Sequence, residues 1–95
     1  MQFSALTNFY KVIRDDNRIT TTHISLYMAL FELWNQNEFQ NPVYIRRGTV
    51  METAKISGLA TFHKCIKDLH AFGYIRYLPS MNPAVSSRVF LVSLA

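Results

Sequence analysis

The first third of the chain carries apolar residues at helical spacing. A helix over residues 3–14 is predicted because apolar side chains recur every three or four positions, at Phe3, Leu6, Tyr10 and Ile13, with Phe9 and Val12 beside them. The turn-forming run Asp15-Asp16-Asn17 ends this helix. Three successive threonines then offer N-cap hydroxyls for a second helix over residues 20–37.

The predicted second helix is apolar on nearly every side. Its polar or small residues form a single stripe, made of Ser25, Ala29, Glu32 and Gln36. A helix of this kind is either central to the core or shared with a partner subunit. Together with the extra first helix, this apolar excess predicts a homodimer.

The second half of the chain predicts shorter elements. The break Asn41-Pro42 precedes a short β-favouring run, Val43-Tyr44-Ile45. A helix over residues 49–55 is expected to turn Val50, Met51 and Ala54 inward. After the turn Ser57-Gly58, a longer helix covers residues 59–72, and Gly73 ends it. Strands over residues 74–78 and 88–92 flank a loop rich in turn residues, 79–87.

The helix over residues 59–72 has the clearest division into two faces. Its predicted inward face is apolar and comprises Leu59, Phe62, Cys65, Ile66, Leu69 and Phe72. Its predicted outward face comprises Ala60, His63, Lys64, Lys67 and Ala71. The major groove of DNA is about 12 Å wide and admits one α-helix, whose outward side chains then meet phosphates and base edges. Lysine, histidine and threonine supply donors and acceptors for such contacts.

The net charge of +4 becomes informative when it is divided along the chain. Residues 1–45 hold three basic and four acidic side chains, a net charge of −1. Residues 46–76 hold six basic and two acidic side chains, a net charge of +4, and Arg88 adds the remaining +1. A localised basic excess is expected of a phosphate-binding surface, whereas evenly spread charge serves solubility.

The stretch from Ile45 to Val92 resembles a winged-helix domain, a helix-turn-helix variant with a β-hairpin wing. Its residues 57–75 are similar to the recognition segment of MarR-type and GntR-type bacterial regulators. The matching positions are Thr61, Phe62, Cys65, Ile66 and Leu69, followed by Gly73-Tyr74-Ile75. The whole chain also resembles short winged-helix proteins of Bacteroidetes that are carried near mobile elements. The resemblance departs at Gly58 and Leu59, where many members carry Arg or Ser.

The length of 95 residues predicts one domain over residues 1–95, and the resemblance implies that it is mainly α with a small β-hairpin wing (α+β). The first 20 residues have no counterpart in a minimal winged helix. The domain is expected to be a winged helix-turn-helix with an extra N-terminal helix. Its parts are an extra helix over 1–14, a core or dimer helix over 20–37, the helix-turn-helix over 46–73, and the wing hairpin over 74–92.

Double-stranded DNA is the expected partner, and the expected contacts come from three places. The recognition helix offers the side chains of Thr61, His63, Lys64 and Lys67, and the backbone N–H groups of Ala60 and Thr61 at its start. The resemblance places a DNA-backbone contact at Arg46 and Arg47. The wing, residues 79–88, offers Ser86, Ser87 and Arg88 to the DNA backbone or the minor groove.

Other classes of function are expected to be absent. A single cysteine excludes an intrachain disulfide framework, and Cys65 and His63 point to different sides of their helix, so no metal site is predicted. His23 and His70 are expected to cap or pack and not to bind a ligand. The aromatic residues of the second helix are expected to lie in the core and not to form a ligand cage: Tyr27, Phe31 and Trp34. No catalytic motif, cofactor-binding loop, signal peptide or membrane-spanning run is recognised, so a cytoplasmic, nucleoid-associated protein that is not an enzyme is expected.

Two alternatives to a transcriptional regulator stay open. One is a protein–protein interaction module that uses the second helix, and the other is an accessory factor in recombination or replication of a mobile element.

Overall fold

A computed structural model of the chain describes residues 2–82 and 85–94, with side chains from residue 5 onward. The side chain of Phe3 and the loop residues Pro83 and Ala84 lie outside this description. The described part is an α+β domain of four helices and three strands, in the order α1 (Gln2–Arg14), α2 (Thr21–Gln36), β1 (Val43–Ile45), α3 (Arg47–Ala54), α4 (Leu59–Ala71), β2 (Ile75–Leu78) and β3 (Ser87–Leu91).

Helix α1 joins the core through Phe9, which is fully buried. The phenyl ring stacks on Tyr27 of α2 with 3.8 Å between the ring centroids. The expectation that Tyr10 belongs to the apolar stripe is wrong, because Tyr10 is 47% exposed. Both residues fit a spacing of three and four from Leu6 and Ile13, and the ring of Tyr27 on another helix decides which one is buried.

Helix α2 begins at a capping box. The Thr20 hydroxyl accepts a hydrogen bond from the backbone N–H of His23, and Nδ1 of His23 accepts one from the backbone N–H of Thr20. This agrees with the expectation that His23 caps or packs. His23 itself is only 4% exposed.

The body of α2 is the central helix of the fold. Its side chains pack on α3 and α4, and the apolar ones are buried or half-buried throughout. Within the predicted polar or small stripe, Ala29 is buried and the Ser25 hydroxyl donates to the Ala54 carbonyl oxygen of α3. A helix that is apolar on nearly every side is either central to the core or shared with a partner subunit, and the position of α2 in the core accounts for its apolar surface.

Helices α3 and α4 are joined by a tight turn. Helix α3 begins at Arg47, two residues earlier than predicted, and ends at Ala54, followed by the C-cap residue Lys55, whose φ of 62° is left-handed. Val50 and Ala54 are buried and Met51 is half-buried, as predicted.

The buried face of α4 comprises Phe62, Cys65, Ile66 and Leu69. The expectation that Leu59 points inward is wrong: it is 46% exposed, because it is the first residue of α4 and lies beyond the end of that buried face. Phe72 is half-buried, and the Arg18 guanidinium lies 4.1 Å from its ring centroid. Gly73, with a φ of +90°, follows the helix end as predicted.

The three strands form an antiparallel sheet in the order β1-β3-β2. Strands β2 and β3 start one residue after and one residue before their predicted positions, respectively. Alternation of side chains places Val43, Val89 and Ile75 toward the helices, where all three are buried. This arrangement is compatible with a winged helix, and its mainly α, α+β composition is as predicted.

Candidate nucleic-acid interface

The outward face of α4 holds most of the predicted recognition-helix residues. Ala60, Thr61, Lys64 and Lys67 are all exposed, while the opposite side of the helix lies in the core. His63 is half-buried, and its ring packs against Phe62 with 5.6 Å between the centroids. The helix has 13 residues and is therefore about 20 Å long.

The charge of Lys64 is compensated within its own helix. Its Nζ lies 2.9 Å from Oδ2 of Asp68, one helical turn further on. The side chain of Lys64 is 74% exposed, so this ion pair contributes little to folding. The carboxylate nevertheless raises the pKa of Lys64 and offsets its positive charge at the surface.

Asp68 connects this face to the centre of the molecule. The same Oδ2 atom accepts a hydrogen bond from Nε2 of His23, at 2.9 Å. Lys64 first, and His23 second, hold the pKa of Asp68 below its usual range. Because Nδ1 of His23 bonds Thr20 at the start of α2, the chain of contacts runs from the surface of α4 to the cap of α2. This network fixes the position of α4 against α2.

The second group of candidate residues lines a concave pocket of about 250 Å³. The start of α3 contributes Arg46, Arg47 and Gly48, the loop between β2 and β3 contributes Ser80 and Ser86, and β3 contributes its first residue, Ser87. The Ser87 hydroxyl accepts a hydrogen bond from the backbone N–H of Ser80, which shapes the loop side of the pocket.

The pocket is suited to an anion. Among its described lining residues there is no Asp or Glu, and the described part of the chain shows no ion pair at Arg46 or Arg47. Arg46 occupies the N-cap position of α3, and no side chain caps the helix there. Two arginines, three serines and the positive end of a helix dipole therefore border one cavity, a combination suited to binding phosphate oxygens.

Arg88 lies apart from both groups. It is paired with Tyr44 of β1 and Leu78 of β2 in the sheet register, so these three side chains share the face of the sheet that points away from the helices. Arg88 is exposed there and does not line the pocket. The predicted site residues thus fall on the α4 face, in the pocket and on the outer face of the sheet.

Some features of this surface were not anticipated from the sequence. Asp68 was not recognised as the partner of Lys64, although their i,i+4 spacing signals it. Arg76 was not assigned to a face, and the register now places it opposite Phe90 on the outer face. At the tip of the loop, Met81 is 96% exposed and Val85 is 56% exposed.

Other candidate chemistry is limited. Cys65 is a buried core residue, as predicted, and burial raises the pKa of its thiol. Nδ1 of His70 accepts a hydrogen bond from the backbone N–H of Tyr77, which agrees with a capping or packing role. Across residues 2–82 and 85–94, no three His, Cys, Asp or Glu side chains gather closely enough to hold a metal ion. Within the same ranges, no helix is long and apolar enough to cross a membrane.

The aromatic residues of α2 belong to two separate clusters. Tyr27 packs between Phe9 and Tyr74, whereas Trp34 packs against Phe31 and Phe39, with 4.9 Å between the Trp34 and Phe39 centroids. They therefore act as core residues, as predicted, and do not form a ligand cage.

Comparisons with known proteins provide no relative from which a function could be inferred. The chain matches no model of a known protein family, no curated protein and no solved structure. The resemblance to winged-helix regulators therefore stays a prediction from the residues that carry it.

Proposed function

We propose that the protein binds double-stranded DNA as a bacterial transcriptional regulator. Helix α4 enters the major groove, and the loop between β2 and β3 lies against the backbone or the minor groove. The observation that supports this most strongly is the pocket at the start of α3, which gathers Arg46 and Arg47 with Ser86 and Ser87. These residues lie about 40 positions apart in the chain, and an anionic backbone is the partner that such a surface fits.

The division of labour on this surface follows from its chemistry. The pocket and Lys67 hold phosphates, because guanidinium and ammonium groups bind phosphate through charge-assisted hydrogen bonds. The side chains of Thr61, His63 and Lys64, together with the Ala60 and Thr61 N–H groups, meet bases or phosphates within the groove. Arg88 flanks the duplex beside the loop.

A homodimer belongs to the same proposal, and because α2 lies in the core it rests on the additional N-terminal helix α1. Two copies related by a two-fold axis would present two α4 helices, and the DNA site would contain half-sites about 10 bp apart. Light scattering at tens of micromolar protein tests this directly, and a monomeric mass would contradict it.

The alternative of a protein-interaction module relied on an exposed apolar α2. The large apolar side chains of α2 are buried or half-buried in the structure, and none is among the exposed ones. An accessory role in recombination or replication of a mobile element uses the same duplex-binding surface, and is distinguished by the sequences that the protein selects from a random duplex pool.

The proposal is tested by removing the charges of the α4 face. Near 0.1 M salt, Lys64→Ala/Lys67→Ala is expected to weaken duplex binding about tenfold, measured by fluorescence anisotropy with a labelled 30-bp duplex. Lys11→Ala/Arg14→Ala is a matched control, since both residues are exposed on α1 at the same three-residue spacing. Equal affinities of the two double variants would contradict a role for the α4 face.

A further inference from the structure

The face of the sheet that points away from the helices has a distinctive composition. It carries Tyr44 from β1, Arg88 and Phe90 from β3, and Arg76 and Leu78 from β2, and is called here the outer sheet face. The register pairs Tyr44 and Leu78 with Arg88, and Arg76 with Phe90, so these five side chains lie in two adjacent rows. With strands about 4.8 Å apart, the three-residue row is about 10 Å wide.

The outer sheet face is rich in exposed π-surface and positive charge. Tyr44 is 65% exposed, the largest exposed fraction of any aromatic residue in the described part of the chain. The Arg76 guanidinium lies 5.4 Å from the Phe90 ring centroid, in a cation–π contact. Both arginines of the face are exposed.

Negative charge is absent from this part of the sequence. Residues 69–95 contain no Asp or Glu, and neither do residues 39–51. All three strands therefore lack a carboxylate, and the described residues show no ion pair at Arg76 or Arg88. The charges on the outer sheet face have no carboxylate partner among the described residues.

We propose that the outer sheet face binds single-stranded nucleic acid. One base stacks on the exposed ring of Tyr44, a second stacks on the Arg76 guanidinium where it covers Phe90, and Arg88 between them holds a phosphate. Aromatic rings and guanidinium planes are the surfaces on which unpaired bases stack, and positive charge beside them tracks the backbone.

The composition favours a single strand over other partners. In a duplex the base faces are hidden, so the exposed ring of Tyr44 would gain no stacking partner there. An acidic protein segment would satisfy the arginines but would not need the aromatic surface. This site goes beyond the proposed duplex binding and would place a strand released from a duplex on the neighbouring face of the same domain.

The test uses a fluorescein-labelled 12-nucleotide oligo(dT), which forms no duplex, and the full chain at low salt. Tyr44→Thr keeps a β-favouring residue in the edge strand and is expected to weaken binding about 5- to 150-fold, the range found for loss of one stacked base. Tyr44→Phe should restore binding because it restores the ring. Arg76→Gln should also weaken binding, because it removes the guanidinium plane on which the second base stacks. Circular dichroism confirms that each variant is folded.

Two controls separate this site from the proposed function. Tyr10→Ala removes an exposed aromatic ring from α1 and should leave oligo(dT) affinity unchanged. Lys64→Ala/Lys67→Ala should weaken binding of the duplex and leave oligo(dT) affinity within about twofold, so failure of either site is visible without the other.

The proposal is overturned by any of three results. These are no binding of oligo(dT) at low salt, equal affinity of wild type and Tyr44→Thr, and displacement of oligo(dT) by a poly-glutamate peptide as effective as displacement by an unlabelled oligonucleotide. The last result would assign the face to an acidic protein partner.

Discussion

The two basic regions of the proposed duplex-binding surface differ in what surrounds their charges. On the α4 face, Lys64 is paired with Asp68, and Asp68 is held in turn by the buried His23. In the pocket at the start of α3, Arg46 and Arg47 share the lining with three serines, and no described lining residue carries a carboxylate. Each region has two basic residues, but the positive charge available to a ligand is smaller on the α4 face than in the pocket.

This difference shows how one surface serves folding and recognition in separate places. The Lys64–Asp68–His23 network connects α4 to α2, and its Asp68 carboxylate offsets part of the positive charge at the surface of α4. Lys64 and His23 lower the pKa of Asp68, so the folded protein favours the ionised carboxylate. The ionised carboxylate therefore stabilises the folded state at pH values above the pKa that Asp68 has in the unfolded chain. That contribution is lost as the pH falls through the lowered pKa. In the pocket, Arg46 and Arg47 form no ion pair with any described residue, so their positive charge is available to a ligand.

The largest expected effect comes from breaking the anchor beneath the α4 face. His23→Ala should lower the free energy of unfolding by about 2–4 kcal/mol, because a buried ring and its hydrogen bonds to Thr20 and Asp68 are lost. Thr20→Ala removes the cap and leaves the His23–Asp68 contact, so it should cost only about 1 kcal/mol. Urea denaturation measures both values. Equal losses in the two variants would mean that the contact with Asp68 stabilises nothing.

The next effect concerns the pocket. Arg46→Ala/Arg47→Ala should weaken duplex binding about 60-fold near 0.1 M salt and reduce the salt slope by about 1.8, the value for two lost phosphate contacts. The unfolding free energy should change by less than about 0.5 kcal/mol, since the two side chains are exposed. Anisotropy titrations at several salt concentrations measure the slope. An unchanged slope would remove the pocket from the interface.

The smallest effect compares the two lysines of α4. Lys67→Ala should weaken duplex binding about eightfold near 0.1 M salt, as expected for one phosphate contact, whereas Lys64→Ala should cost less than about threefold because Asp68 already offsets its charge. The two residues are both exposed and three positions apart, so each is the control for the other. A larger loss for Lys64→Ala would show that the ion pair opens when DNA binds.

Local patterning predicts the elements of this fold better than it predicts their contacts. The apolar spacing and Gly73 define α4, and the turn-rich loop between β2 and β3 places both strands to within one residue. The choice between Phe9 and Tyr10 in α1 depends on a ring of another helix, so helical spacing alone does not make it.

The site follows the same rule. The outward residues of α4 follow from periodicity, because one helix face is enough to identify them. The pocket needs the start of α3 and the loop between β2 and β3 to meet, and its residues are separated by whole elements of the chain. The compensation of Lys64 by Asp68 is local, but its link to His23 spans 45 positions. Packing between elements therefore decides which predicted charges stay available.

The central claim is that this surface binds the DNA backbone, and the salt dependence of duplex binding by the wild-type protein tests it most directly. Four phosphate contacts in each protomer, at Arg46, Arg47, Lys67 and Arg88, predict that the logarithm of the association constant falls linearly with the logarithm of salt concentration, with a slope of about −3.6 for each protomer bound. A slope near zero, or no duplex binding at the lowest salt concentration, would contradict the account.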